Sequence, residues 1–176
     1  MIDMQKLKNI LEAKERRAIK QQELINKYKA SLISFTLNIP GEHKNLEKYL
    51  TLHKAGLELI VQPLKENKIE LIHIEERTAE AGREAFIVCR TDAVKLKKIV
   101  SEIEDKHVLG RLFDIDIFDE NFKQISRTQI GKERRKCLLC DNAAAFCMRN
   151  KSHSSYELMA KIDEIIDSYK KLGGIL

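Results

Sequence analysis

The sequence predicts an α+β fold of the ferredoxin-like βαββαβ plan, a four-stranded antiparallel sheet with both helices on one face. Two observations and their order along the chain lead there. Stretches near residues 31–39, 69–75, 84–90 and 109–119 are β-prone and alternate, wholly or in part, between apolar and polar residues, the period of a strand with two unlike faces. Stretches near 42–62 and 93–104 carry apolar residues at helical spacing instead. They fall in the order strand, helix, strand, strand, helix, strand. A helical N-terminal extension over residues 1–30 and a Cys/His segment with a closing helix over 121–176 flank this core, within one domain of 176 residues.

From about Asp3 to Lys29 the chain is charged and lacks Gly and Pro. Leu7, Ile10, Leu11, Ala18, Leu24, Ile25 and Tyr28 form an intermittent apolar stripe, which predicts one or two amphipathic helices. Lys14-Glu15-Arg16-Arg17 reads as a solvated helix face that could also meet phosphate. Ser31 to Ile39 is the first strand, and Pro40-Gly41 turns it into a helix from Glu42 to about Gln62, stopped at Pro63 or near Asn67. His53 on that helix reads as a packed or partly exposed helix residue rather than a ligand. Ile69–Glu75 and Glu84–Arg90 are the next strands, joined by Arg77 to Arg83. The second is apolar enough to be central, with Cys89 as a buried small hydrophobe. Thr91 or Asp92 caps a helix from Ala93 to about Glu104. A loop from Asp105 to Gly110 holds His107. Tyr156 to Leu172 is an amphipathic closing helix, ended by Gly173-Gly174.

The fourth strand, Leu109 to Asp119, carries the sharpest chemical signal. Asp114 and Asp116 project from one face, roughly 7 Å apart at about 3.3 Å rise per residue, while Ile115 and Ile117 point to the core. Paired carboxylates repel, and aspartate is depleted in strands, so a divalent cation is the commonest reason to keep them. The alternative is a solvated strand face. With Gly110 and Arg111 leading in, the pair suggests a magnesium-dependent site for a phosphorylated substrate. Arg127, Arg134 and Arg135 follow closely, and short connections could bring them to the carboxylates. A solvated basic loop is the plainer reading. Carboxylates with a metal and arginines on phosphate oxygens are what phosphoryl or nucleotidyl transfer needs.

Cys137-x2-Cys140-x6-Cys147-x5-His153 has ligand types and spacings compatible with structural zinc, although the six-residue gap is short for common fingers. The alternative is a packed Cys147 and a His153 that caps a helix. Composition bounds the rest: 43% hydrophobic, 34% charged, net charge +5, no apolar run long enough for a membrane span and no secretory signal. A cytoplasmic protein with anionic partners is expected. No phosphate-binding loop, dinucleotide fingerprint or Ser/His/Asp arrangement is visible.

Several stretches together resemble apo-citrate lyase phosphoribosyl-dephospho-CoA transferase, also called holo-citrate lyase synthase. They are Leu109-Gly110-Arg111-Leu112-Phe113-Asp114-Ile115-Asp116-Ile117, Ile125-Ser126-Arg127, Arg135-Lys136-Cys137-Leu138-Leu139-Cys140, and Ala144-Ala145-Phe146-Cys147-Met148-Arg149 with His153. Glu15-Arg16 with Arg17, Gln21-Gln22, Ser34-Phe35-Thr36 and Pro40-Gly41 resemble the family's early motifs. Two departures are mild: Phe113 stands where a Trp or other large residue is common, and Thr128 replaces a basic residue. The resemblance implies transfer of the phosphoribosyl-dephospho-CoA group from its triphosphate precursor onto a serine of the citrate lyase acyl carrier (gamma) subunit, with release of pyrophosphate. It implies Mg2+ on Asp114 and Asp116 and phosphate contacts from Arg111, Arg127, Arg134 and Arg135, with Arg16 as a further substrate contact. His107 is a weaker candidate base, and Glu75, Glu84 or Asp119 a third carboxylate. Some members are fused to the enzyme that makes the precursor, and this chain is too short for that half. The counterpart transferase of malonate decarboxylase is one alternative, though Cys137-Leu138-Leu139-Cys140 points to citrate lyase. A zinc-containing RNA-binding module and an assembly factor that only escorts the carrier protein are the others. Nucleic acid and membrane are not expected partners.

Overall fold

A computed structural model describes residues 4–40 and 44–174, with the side chains of residues 4–7 and 10 outside the description. A long helix α1 (Met4–Tyr28) precedes strand β1 (Ser31–Leu37). Helix α2 (Glu47–Glu66), strands β2 (Glu70–Ala79) and β3 (Gly82–Arg90), helix α3 (Ala93–Lys106) and strand β4 (Phe113–Phe118) complete the strand-helix-strand-strand-helix-strand order. Short helix α4 (Ala144–Asn150) and helix α5 (Ser155–Lys171) close the chain. The four strands lie in the order β2-β3-β1-β4, every pair antiparallel. Among the described residues no helix is long and apolar enough to cross a membrane.

Alternation along the strands divides the sheet into two faces. Ile33 and Phe35 of β1, Ala85, Ile87 and Cys89 of β3, and Ile115 and Ile117 of β4 point to one side. There they pack on Tyr49, Leu52, Ile60 and Leu64 of α2, Leu96 and Val100 of α3, and Ile162 and Ile166 of α5. Burial at this scale, about 1.5–3 kcal/mol for each large apolar side chain, holds the core together. Gly56 of α2 lets the helix approach closely, because a Cβ there would lie 2.6 Å from the Phe35 ring and 2.9 Å from that of Phe113. His53, fully buried, stacks on Phe35 at 4.6 Å between ring centres. Desolvation holds its pKa down to about 4, so it is a neutral core residue. On the other face Leu24 and Ile25 of α1 cover Leu32, Phe86, Val88 and Phe118.

Several boundaries differ from the sequence reading. Helix α2 begins at Glu47, later than expected, and residues 41–43 of the expected helix and turn lie outside the described residues. Of the two stops expected the later one holds: the helix runs through Pro63 to Glu66, because buried Leu64 rewards one more turn and the cap Asn67 returns its backbone N–H to the Pro63 carbonyl at 3.0 Å. Arg77 to Arg83 is not a loop. Cross-strand pairs Arg77–Glu84, Thr78–Arg83 and Ala79–Gly82 zip it into a tight hairpin, with Gly82 at φ +107° after the turn. The fourth strand is shorter than expected, since a 3-10 turn at Gly110–Leu112 occupies its start. Asp92 caps α3 as expected, accepting from the Lys95 N–H.

Candidate active site

Antiparallel register sets two polar rows across the sheet face opposite α2 and α3. One row runs Asp114, Thr36, Glu84, Arg77; the next runs Asp116, Ser34, Phe86, Glu75. Directly opposed residues share a face, so the carboxylates of β4 sit beside the hydroxyls of β1. Helix α1 crosses this face with residues spaced three or four apart. Gln21 donates to the Ser34 hydroxyl at 2.9 Å, Lys20 pairs with Glu75 at 2.9 Å, and Arg17 Nε donates to Glu84 at 2.6 Å. Arg77 Nε holds the other oxygen of Glu84 at 2.7 Å. Glu84 is wholly buried, and its two oxygens are taken by the two arginines.

Asp114 is exposed and Asp116 half-buried. Burial raises the pKa of Asp116, the Asp114 carboxylate raises it further, and Lys97, the Gln124 amide and Arg17 oppose them, leaving it at about 6. Gln124 Nε2 donates to Asp116 Oδ1 at 2.7 Å. Beside the pair lies a cationic edge. Burial lowers the pKa of Lys44, and Arg17 and Lys14 lower it further while Asp114 holds it up. A crowded carboxyl pair with hard oxygen donors suits Mg2+, and the adjoining Lys14, Arg17 and Lys44 suit phosphate oxygens.

Arg111, Arg127 and Arg135 are engaged elsewhere. After β4 the chain folds back along its outer edge, where Ile125 N–H donates to Ile117 O at 2.8 Å, and then passes to the acidic end of α3. Arg127 donates to Glu104 at 3.0 Å and Asp105 at 2.6 Å, and Lys132 pairs with Glu102 and Asp105. Arg135 donates to the carbonyls of Phe113, at 2.7 Å, and Gly110, and pairs with Glu104 at 3.3 Å. Arg111 donates to the carbonyls of Lys136 and Cys137 at 2.7 and 3.0 Å. These guanidiniums tie loops together rather than meeting at the carboxylates. Arg134 is exposed. On α1, Arg16 faces solvent and pairs with Glu12 and Glu80, while its neighbour Arg17 turns to the sheet.

The candidate third carboxylates are also occupied: Glu84 by two arginines, Glu75 by Lys20 and His73, and Asp119 by the N–H groups of Asn121 and Lys123. His107 accepts from Leu109 N–H and packs near Phe113 and Tyr169, on the core side of the sheet. Ser34, Thr36, Lys44 and Gln124 were not singled out from sequence as site residues, and Lys14 and Arg17 only as part of a charged run that could meet phosphate. The spacing of Lys14, Arg17, Gln21, Leu24 and Tyr28, one stripe running from polar to apolar, was the available signal for α1.

A second cluster forms where the chain runs into α4 and α5. Cys137 and Cys140 lie in the loop closed by the Lys136–Ala143 pairing, Cys147 on α4, and His153 just before the α5 cap Ser154. Their ligand atoms all lie within 4.8 Å of one another, a group that could hold a metal such as zinc. A depression of about 500 Å³ lies alongside, lined by Val108, Arg111, Leu138, Leu139, Lys161 and Ile165 among others. It is larger than the opening near Lys44, yet it lacks a paired carboxylate.

The sequence profile of the family apo-citrate lyase phosphoribosyl-dephospho-CoA transferase matches residues 5–169. A probable apo-citrate lyase phosphoribosyl-dephospho-CoA transferase of Vibrio cholerae serotype O1 is 35% identical over 164 residues, 93% of this chain and 92% of that protein. One from Streptococcus pyogenes serotype M3 is 30% identical over 167 residues, 93% of this chain and 86% of that protein. Protein CitXG of Haemophilus influenzae is 33% identical over 166 residues, which are 94% of this chain and 34% of that protein.

Proposed function

This chain belongs to the apo-citrate lyase phosphoribosyl-dephospho-CoA transferase family and is a transferase, and on that premise we propose its reaction in detail. It moves the phosphoribosyl-dephospho-CoA group from its triphosphate precursor to a serine of the citrate lyase acyl carrier subunit, in the cytoplasm. The serine oxygen loses its proton to water as it bonds to the α-phosphorus, the bond from that phosphorus to the bridging oxygen breaks, and pyrophosphate leaves with the electron pair. The observation that carries this reading is the Asp114–Asp116 pair on one strand face, with Asp116 pushed up to about 6 and cations beside it.

Each residue then has a task. Asp114 and Asp116 hold Mg2+, whose charge, when bound, polarises the α-phosphate and stabilises the departing pyrophosphate. Lys14, Arg17 and Lys44 bind the non-bridging oxygens of the triphosphate. Glu84 and Arg77 fix the guanidinium of Arg17, and Gln124 fixes one oxygen of Asp116. Ser34 and Thr36 line the floor between the carboxylates and Glu84. The corresponding transferase of malonate decarboxylase would use the same centre on another carrier. An RNA-binding role gains no support from the sheet: Phe35 and Phe113 are buried in the core and Phe86 lies under α1, so none is displayed for base stacking.

The test is labelling of the apo-carrier subunit by the purified protein with the triphosphate precursor and Mg2+. Asp114→Asn and Asp116→Asn should each slow transfer by about 100-fold or more, and Lys44→Ala should act mainly on KM. Undiminished transfer by both aspartate variants would overturn the assignment.

A further inference from the structure

We propose that Cys137, Cys140, Cys147 and His153 bind one structural zinc ion, and that this ion is the core of the strap from Ser126 to Ser154. The proposal is independent of the transfer chemistry above. Between those two residues the only buried side chains are Cys137 and Cys147. Helix α4 is seven residues long and Cys147 is its single buried residue, while Phe146 and Met148 of the same helix are exposed. A helix that short, with no apolar face packed, does not hold itself in water. The side chains at the centre of the strap are three thiols and an imidazole.

The geometry fits zinc. Cys140 Sγ lies 3.5 Å from Cys147 Sγ and 3.4 Å from His153 Nε2. A tetrahedron with Zn–S near 2.3 Å and Zn–N near 2.0–2.1 Å has edges of about 3.8 Å between sulfurs and about 3.6 Å between sulfur and nitrogen. The sulfurs are too far apart for a disulfide, which needs about 2.05 Å, and all the cysteines are free. Four protein ligands fill the tetrahedron, so the ion has no open position for substrate and is structural. Loading releases the thiol protons as the sulfurs become thiolates.

The strap and the carboxylate strand are tied both ways. Arg135 donates to the Phe113 carbonyl, next to Asp114, and Arg111 donates back to the Lys136 and Cys137 carbonyls. Zinc therefore fixes the entrance of β4 without touching the reacting atoms.

The whole chain, purified without chelator, is analysed for metal. About one zinc per chain is expected, falling below about a tenth in Cys140→Ser and Cys147→Ser. Because those variants could fail to fold, wild-type protein stripped of metal is also titrated with Co2+. Thiolate-to-cobalt charge transfer and tetrahedral d–d bands should appear and saturate at one equivalent. Asp114→Asn should keep its full zinc content, which separates this site from the carboxylate centre. Wild-type protein with less than about a tenth of a zinc and no cobalt bands overturns the proposal, as does iron in place of zinc.

Discussion

Replacing Asp116 with Asn should make the metal-free protein more stable at alkaline pH while disabling it. In the folded chain Asp116 titrates at about 6 instead of 3.8, because burial and the Asp114 charge both oppose its ionisation. A shift of about 2 pH units corresponds to about 3 kcal/mol, or about 2–3 kcal/mol once the solvent contact of a half-buried carboxyl is allowed for. The sign follows from the raised folded pKa. Stability is complete below about pH 4, declines as pH rises from there through 6, and stays low above. Asn keeps the shape and the acceptor for Gln124 without the charge. The variant should therefore exceed wild type by about 2–3 kcal/mol at pH 8, or roughly 4–12 °C in Tm for a chain of this size, with the gap closing toward pH 4. His53 titrates across the same range with the opposite sign, since its lowered pKa of about 4 removes stability as pH falls below 6.5. Comparing variant and wild type at the same pH cancels that contribution. The measurement is urea unfolding in EDTA at pH 4.5, 6 and 8, repeated with Mg2+, which should stabilise wild type alone. A variant no more stable than wild type at pH 8, or a gap that ignores pH, would refute the electrostatic picture of the pair.

Two further substitutions probe the scaffold beneath the site. Gly56→Ala puts a methyl group against the Phe35 and Phe113 rings, and overpacking of this kind should cost about 1–3 kcal/mol in urea unfolding; an unchanged midpoint would show that the helix is not in contact there. Glu84→Gln keeps the shape of a fully buried side chain but strips the counter-charge from Arg17 and Arg77. It should destabilise the protein by about 2–4 kcal/mol, and a loss below about 0.5 kcal/mol would mean that the pairs behave as solvated surface bridges.

Sequence periodicity sufficed where a residue's direction follows from its own strand or helix. Alternation along Phe113–Phe118 put Asp114 and Asp116 on one face and Ile115 and Ile117 on the other, and the side-chain period of two leaves no other choice. The density of apolar residues marked β3 as central, and the β2-β3-β1-β4 order places it there. Ligand spacing alone picked out the four Cys and His residues that the chain gathers within 4.8 Å. Helix α5 starts one residue before the boundary expected, behind a Ser154–Glu157 capping box that the sequence reading did not use.

The cations resisted that reading, because a long charged side chain goes to whichever partner tertiary folding brings near. Arg127 and Arg135, adjacent in sequence to the carboxylate strand, are drawn to Glu104 and Asp105 at the end of α3. Lys44 and Arg17, 70 or more residues away, act on Asp114 and Asp116 instead, together with Lys97 of α3, which donates to the Ile115 carbonyl between them at 3.0 Å. The sequence by itself determined the strand, its two carboxylates and the face they share, since backbone geometry alone fixes those. Only the tertiary structure decided which positive charges stand beside them, since that depends on α1 lying across the open face of the sheet and on the acids of α3 claiming the nearer arginines.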